Sequence, residues 1–272
     1  MDIVVFLKMV PDVVEELVIG EDGKSLDTQW LRMKLNDPDE HALEEAVILK
    51  EKYGGTVTVV AMEAPEVEEV LFTALAKGAD RAVKLPGDWT GMQAPAIAKL
   101  FTSYFSSANL QIAPSASGGS GLGSETLILI GSQAIDDLEG EVAPYLAEIL
   151  GAPYVGVVTG IRLDEEKKKA IVMKEFAGGL RGEFELPLPA VLGIQAAEKP
   201  PRYVLVAKVR SIMKSARIET VEVSPPEIVT GLFVERMFVP EAAGKAEMIE
   251  GPPEKVSARI IEILVECGII RR

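Results

Sequence analysis

The chain has 272 residues, a net charge of −14, 48% apolar and 26% charged residues, a balance that supports a substantial core and argues against a nucleic-acid partner. Its lone cysteine, Cys267, excludes an internal disulfide and fits a reducing compartment, and one histidine beside one cysteine leaves no His/Cys metal constellation. No apolar run reaches membrane-spanning length, and the opening, Met1-Asp2 onward, is too acidic and its apolar part too short for a signal peptide, so a soluble cytoplasmic protein is expected.

Residues 3–7 read as a first strand. The following Lys8-Met9-Val10-Pro11-Asp12 turns, because Pro11 restricts the residue before it, and Asp22-Gly23 marks a hairpin-like turn. Asn36-Asp37-Pro38-Asp39-Glu40 opens a helix in which Asp37 caps, Pro38 takes the first helical position and Glu40 closes a capping box. Ala42, Leu43, Ala46 and Val47 follow at helical spacing, and Gly54-Gly55 ends the helix. His41 is expected to be exposed in the first turn. Residues 56–62 form a strand. Pro65 opens a second helix with Val67, Val70, Leu71, Ala74 and Leu75 inward and Gly78 as its stop. Residues 81–85 are a strand and 92–105 a third helix. Residues 106–124 read as a flexible insertion, because 115–124 is nearly all Gly, Ser and Ala.

The central stretch is 126–150. Thr126-Leu127-Ile128-Leu129-Ile130 is an apolar run suited to a strand buried on both faces. Val142, Leu146, Ile149 and Leu150 share one stripe of a helix. A strand, a loop at its carboxyl end and a helix N-terminus make the place where open α/β sheets bind ligands, and free backbone N–H groups there can hold an anion. Residues 155–163 and 170–176 read as an antiparallel pair around a charged turn. Gly178-Gly179 leads into a strand at 181–186, residues 190–194 rejoin the main sheet, and 218–223 form another strand. Strands alternating with helices predict an α/β fold, a doubly wound, mostly parallel sheet. It spans 1–223. Residues 224–272 are read as a C-terminal arm and helix. Apolar Ile228, Leu232, Phe233, Phe238 and Ile249 on the arm suggest a partner surface. The helix carries Val256, Ile260, Ile263, Leu264 and Cys267 on one stripe, with Cys267 expected in a core.

Several segments resemble, in order, the β subunit of electron-transfer flavoproteins. Val5, Lys8, Val10, Pro11 and Asp12 match the opening V-x-x-K-x-V-P-D. Residues 36–50 match its acidic helix, with Asp37-Pro38 in place of Pro-x. Ala74-Leu75-Ala76-Lys77-Gly78-Ala79-Asp80-Arg81 is similar to A-L-A-M-G-A-D-R, and Gly131-Ser132-Gln133-Ala134-Ile135-Asp136 to the G-x-Q-A-I-D signature. Lys174-Glu175-Phe176-Ala177-Gly178-Gly179 with Leu188-Pro189-Ala190-Val191, Pro201-Arg202-Tyr203, and Ile212-Met213-Lys214 complete the series. The resemblance covers nearly the whole chain. It implies a Rossmann-like, adenine-nucleotide α-hydrolase-like fold and a subunit without covalent chemistry of its own. It further implies an α-type partner that holds the redox FAD and carries electrons from dehydrogenases toward a respiratory acceptor, with the C-terminal arm reaching over that partner.

The resemblance also implies site residues. AMP, or a second FAD in bifurcating members, would lie against Phe6, Lys8, Asn36, Met62, Gln133, Ala134, Asp136, Asp137, Glu139, Gly140, Glu141 and Val142. Met62 either packs on adenine or belongs to the core. Arg202, Tyr203, Val209, Arg210, Ser211, Ile212, Met213 and Lys214 overlie the dehydrogenase-recognition loop, with Val209 standing in for a leucine anchor and the family's proline lost. The other departure is in the phosphate loop. Glu139 and Glu141 stand where neutral hydrogen-bonding side chains normally meet phosphate, and an ionised glutamate cannot donate a hydrogen bond. Like charges a few ångströms apart repel by roughly a few kcal/mol. Three outcomes stay open: glutamates turned away from a backbone-held nucleotide, a metal bridging to phosphate, or a pocket empty or filled by side chains. No Gly-rich phosphate loop with a basic residue and no nucleophile–base pair supports an enzyme.

Overall fold

Alternation along the first strand sets the layers. In β1 (Asp2–Leu7), Ile3, Val5 and Leu7 enter one apolar cluster and Val4 and Phe6 another, all of them buried. In β6 (Thr126–Gly131), Leu127 and Leu129 join the first cluster and Ile128 and Ile130 the second. A strand that is apolar on both sides must be covered on both sides. The first cluster is closed by α1 (Asp37–Tyr53) and α2 (Val67–Lys77), the second by α3 (Ala94–Ser107) and α4 (Val142–Leu150). Each large side chain buried here contributes roughly 1.5–3 kcal/mol.

The computed structural model describes residues 1–107, 123–137, 139–164, 166, 168–224, 226, 234–240, 246 and 248–271. Most of the expected insertion at 106–124, and Ile228, Leu232 and Phe233 of the arm, lie outside the described residues. The chain divides into two compact units, Met1–Glu235 and Arg236–Arg272.

The first unit carries a nine-stranded sheet. Its remaining strands are β4 (Thr56–Met62), β5 (Arg81–Leu85), β7 (Tyr154–Asp164), β8 (Lys169–Glu175), β9 (Arg181–Pro187), β10 (Ala190–Ile194) and β11 (Glu219–Thr220), in the order β11-β5-β4-β1-β6-β10-β7-β8-β9. Pairing is parallel from β11 to β7 and antiparallel through β7, β8 and β9. This is the doubly wound α/β sheet the sequence pattern predicts. The chain runs outward from β1 through β4 to β5, then crosses back to place β6 on the other side of β1. The reversal makes the β1/β6 boundary the topological switch point, where such sheets bind ligands. β2 (Met9–Pro11) and β3 (Met33–Leu35) form a separate antiparallel pair.

Some local expectations need correction. Pro65 does not open α2; Glu66 precedes it with φ +63°, and the helix starts at Val67. The third helix starts at Ala94, not at 92. Asn36 rather than Asp37 is the N-cap of α1, and Glu40 pairs with Lys77 instead of closing a capping box. Of residues 218–223, only Glu219 and Thr220 pair in the sheet. Residues 206–215, read as part of a recognition loop, form α5 (Val206–Ser215), which lies against α2. His41 is half-buried, and its Nδ1 accepts the Ala197 N–H at 3.2 Å.

The second unit contains α6 (Pro253–Glu266), which has no buried residue. Ile260 and Ile261 are exposed, and Cys267 is exposed rather than in a core. Nearby in sequence, the Arg236 guanidinium lies 5.2 Å from the Phe238 ring centroid, a cation–π contact. No helix among the described residues is long and apolar enough to cross a membrane.

Candidate functional site

β1 and β6 run in register and finish side by side at Leu7 and Gly131. Their ends are joined by Asp39, in the first turn of α1. Its Oδ1 accepts the Gly131 N–H at 2.6 Å and its Oδ2 accepts the Lys8 N–H at 2.9 Å. Asp39 is 2% exposed. Burial pushes its carboxyl up to about 6, against the two backbone N–H groups, the Asn36 amide and the Lys8 charge, which pull it down. Asn36 is also buried. Its N–H donates to the Lys8 carbonyl at 2.9 Å and its Nδ2 donates to the Gln133 carbonyl at 3.0 Å. The start of α1 therefore clamps both strand ends and the loop after β6. Sequence reasoning named Asn36 but missed Asp39. The available signal was spacing: Asp39 shares a helical face with buried Ala42, Leu43 and Ala46, so it had to point inward.

The loop after β6 is tight and largely self-contained. The Ser132 N–H donates to the Ile194 carbonyl at 2.8 Å, and its hydroxyl donates to the Gln195 side-chain oxygen at 2.7 Å. Ala134 and Asp137 exchange two backbone hydrogen bonds. Gly140 turns back with φ +66°, and a Cβ there would lie 2.4 Å from the Ser132 carbonyl oxygen. Lys8 Nζ reaches across to Asp136 at 2.7 Å.

Besides a cleft of about 170 Å³ lined by Val10, Lys34, Asn36, Gln133 and Ile135, two further spaces adjoin this loop. The inner one, at the switch point, is walled by Phe6, Ile97, Phe101, Ile130 and Val142, with Asn36, Asp39, Ala134 and Gly140 at its edge; its volume is about 20 Å³. That is room for about one water. The Phe6 and Phe101 rings stack there with centroids 4.0 Å apart. The outer one is a cleft of about 390 Å³ between the start of α3 and the start of α4. It is of small-ligand size. Lys8, Gln93, Asp136, Asp137, Glu139, Glu141 and Tyr145 contribute to its lining.

Most of the expected nucleotide residues come together in these two spaces. Met62 lines neither and packs on the α3/α4 side of the core. Gln133 lines the inner space and, although exposed, offers its carbonyl to Asn36. Glu139 and Glu141 both belong to the lining of the outer cleft. Among the described residues no group of three or more His, Cys, Asp or Glu side chains is arranged to hold a metal ion.

The expected partner surface divides into two parts. Arg202 is occupied within the chain: its Nε donates to Glu44 at 3.0 Å, its Nη1 donates to Glu51 at 2.6 Å, and its N–H donates to Glu44 at 2.9 Å. These carboxylates, Glu51 first, hold its guanidinium charge still more firmly than usual. Beside them the Glu198 N–H donates to Glu45 at 2.9 Å. His41, Glu44, Glu45 and Glu51 lie on one face of α1 and strap down residues 197–202. Just past that strap, Tyr203 is 82% and Leu205 67% exposed. Arg210, Ser211, Met213 and Lys214 are exposed along α5, whereas Val209 and Ile212 are half-buried. Val209 is thus partly covered within the chain, while Tyr203 and Leu205 protrude.

Comparison with known proteins places this geometry. The electron transfer flavoprotein domain model matches residues 25–227. The chain is 32% identical to the electron transfer flavoprotein subunit beta of Methylophilus methylotrophus over 98% of both chains. It is 28% identical to the subunit of the same name in Bacillus subtilis over 97% of both. It is 30% identical to subunit CarD of the caffeyl-CoA reductase-Etf complex of Acetobacterium woodii, over 99% of this chain and all of that one. With similarity of this extent, the chain belongs to the electron transfer flavoprotein β-subunit family.

Proposed function

We propose that this chain is the scaffolding half of a cytoplasmic heterodimer whose α-type subunit holds the redox FAD. It grips that subunit and presents it to electron-donating dehydrogenases, while performing no covalent chemistry itself. The observation that carries this reading is the end-to-end likeness to β subunits, across both the sheet and the C-terminal helix. Two features support the division of labour. Ser132, the hydroxyl nearest the strand ends, donates to the amide oxygen of Gln195 and not to a base that would activate it. The helix α6 exposes Ile260 and Ile261, and Ile269 and Ile270 beyond it are exposed as well. Apolar side chains grouped in this way suit a protein partner.

The dehydrogenase-facing surface is assigned to Tyr203, Leu205 and the exposed side of α5, with Arg210, Ser211, Met213 and Lys214. Arg202 holds this surface in place from behind. The test is co-expression with an α-type subunit. The expected result is a one-to-one complex with one visibly absorbing flavin, reduced by a dehydrogenase. A chain that stays alone and colourless beside such subunits would refute the reading.

A further inference from the structure

We infer that the nucleotide crevice of this β subunit is locked by its own side chains and offers no site for the phosphate of AMP or of a second FAD. The inference rests on the β-subunit reading above only for its expectation that a nucleotide belongs there. The residues present do not fit that group, for three reasons.

The first is charge. The outer cleft is lined by Asp136, Asp137, Glu139 and Glu141, with Lys8 as the cation among its lining residues. Lys8 is already engaged with Asp136 at 2.7 Å. A phosphate dianion placed at the start of α4 would meet Asp137, Glu139 and Glu141 with no cation left to offset them. At an intermediate effective dielectric, each carboxylate within several ångströms costs about tenfold or more in affinity. The first-turn N–H groups of α4 are a favourable anion feature, but its N-cap residue, Glu141, adds a further carboxylate there without capping them, and Pro144 supplies no N–H.

The second is space. The inner crevice retains about 20 Å³ because the Phe6 and Phe101 rings stack there and Ile97 and Val142 close the remainder. A purine ring does not enter a volume that holds about one water. The third is that the loop needs no ligand to hold its shape. Asp39 fixes Gly131, Asn36 fixes Gln133, Gln195 fixes Ser132, Lys8 fixes Asp136, and Ala134 pairs with Asp137. Protein groups supply the cross-links that a bound nucleotide would otherwise provide.

The outer cleft has the room for AMP; what it lacks is a positive environment. That distinction gives the experiment. The full-length chain, alone and in complex with an α-type subunit, is acid-denatured and its supernatant analysed for AMP and FAD. The expected result is no AMP from either sample and no FAD from the chain alone. Stoichiometric AMP, or FAD released by the chain alone, would overturn the inference while leaving the β-subunit reading intact. Failure to form any complex would count against that reading, and the nucleotide content of the lone chain would still decide this one. In parallel, AMP at 1 mM is expected to leave the wild-type Tm unchanged and to raise that of the E139Q/E141Q double variant by several degrees. A wild-type shift, or no shift in the variant, would remove the charge argument.

Discussion

The carboxylate of Asp39 accepts the backbone N–H of Gly131 at 2.6 Å, a bond that joins positions 92 residues apart. With its second bond to the Lys8 N–H, it ties the ends of two adjacent parallel strands to the helix that covers them. Such strand ends otherwise leave donors unsatisfied, and a buried unpaired donor costs about 1–3 kcal/mol. The arrangement has a pH signature. The Asp39 carboxyl is raised from 3.8 to about 6, chiefly by burial. Between about pH 4 and 6 the native state keeps a proton that the unfolded chain has released. The stability tied to this group is therefore greatest below pH 4, falls as pH rises through that window and levels off above about 6. The span is up to about 3 kcal/mol. Urea denaturation of wild type and Asp39→Asn from pH 4 to 8 checks it: the stability difference, wild type minus variant, should decline over the window. A difference independent of pH would dismiss the idea.

Gly131 is required by the same junction. A Cβ there would lie 2.5 Å from Asp39 Oδ1 and 2.8 Å from the Pro38 Cβ. Gly131→Ala should therefore cost about 1–3 kcal/mol by overpacking, most of it by displacing the Asp39 clamp. Gly151→Ala is the control. Gly151 sits at φ +62° with open space around it, so only the backbone preference is lost, about 1 kcal/mol. Thermal melts of the two variants should rank Gly131→Ala below Gly151→Ala, and the reverse order would contradict the close approach.

The strands and most helices were legible because their signal is local. Runs such as Leu127 to Ile130 and the stripe of Val142, Leu146 and Leu150 depend only on burial, which apolar period reports directly. The loop after β6 could be named as a candidate site only from the strand end and helix start that flank it. What was not legible depends on partners far along the chain. Arg202 looks like any surface arginine until Glu44 and Glu51, some 150 residues earlier, are brought to it. Asp39 reads as one more acid in a helix start until β1 and β6 end beside it. α5 was missed because the resemblance supplied a loop, although Val206 to Ser215 contains no Gly or Pro to break a helix. Glu139 and Glu141 could be named from sequence, but only the fold shows that they line a cleft with Lys8, Gln93 and Tyr145.

The strap between α1 and residues 197–202 makes a stability prediction. Glu44 is almost fully buried, and its carboxylate takes both the side chain and the backbone N–H of Arg202. Removing one partner of a buried ion pair costs about 3–5 kcal/mol. Because the backbone N–H remains and Arg202 is partly exposed, Arg202→Ala should cost somewhat less, about 2–4 kcal/mol. Arg202→Lys keeps the charge but not the fork that bridges Glu44 and Glu51, so it should recover only part of the loss. Chemical denaturation separates these outcomes. A variant as stable as wild type would return Arg202 to the partner surface.

Leu205 and Val209 make opposite predictions about the dehydrogenase-facing surface. Leu205 is exposed at the start of α5, so Leu205→Ala should leave stability within about 0.5 kcal/mol of wild type. If it is an anchor that fills a pocket on the donor, its loss should cost about 2 kcal/mol of binding, roughly a thirtyfold slower flavin reduction at limiting donor. Tyr203→Ala, next to it and more exposed still, should behave alike. Val209 is half-buried, so Val209→Ala should lower Tm and slow reduction far less. Stopped-flow reduction of the heterodimer's flavin, with flavin content measured in each variant, reads both effects. A fast Leu205→Ala protein beside a slow but stable Val209→Ala protein would move the contact from the start of α5 to its half-buried side.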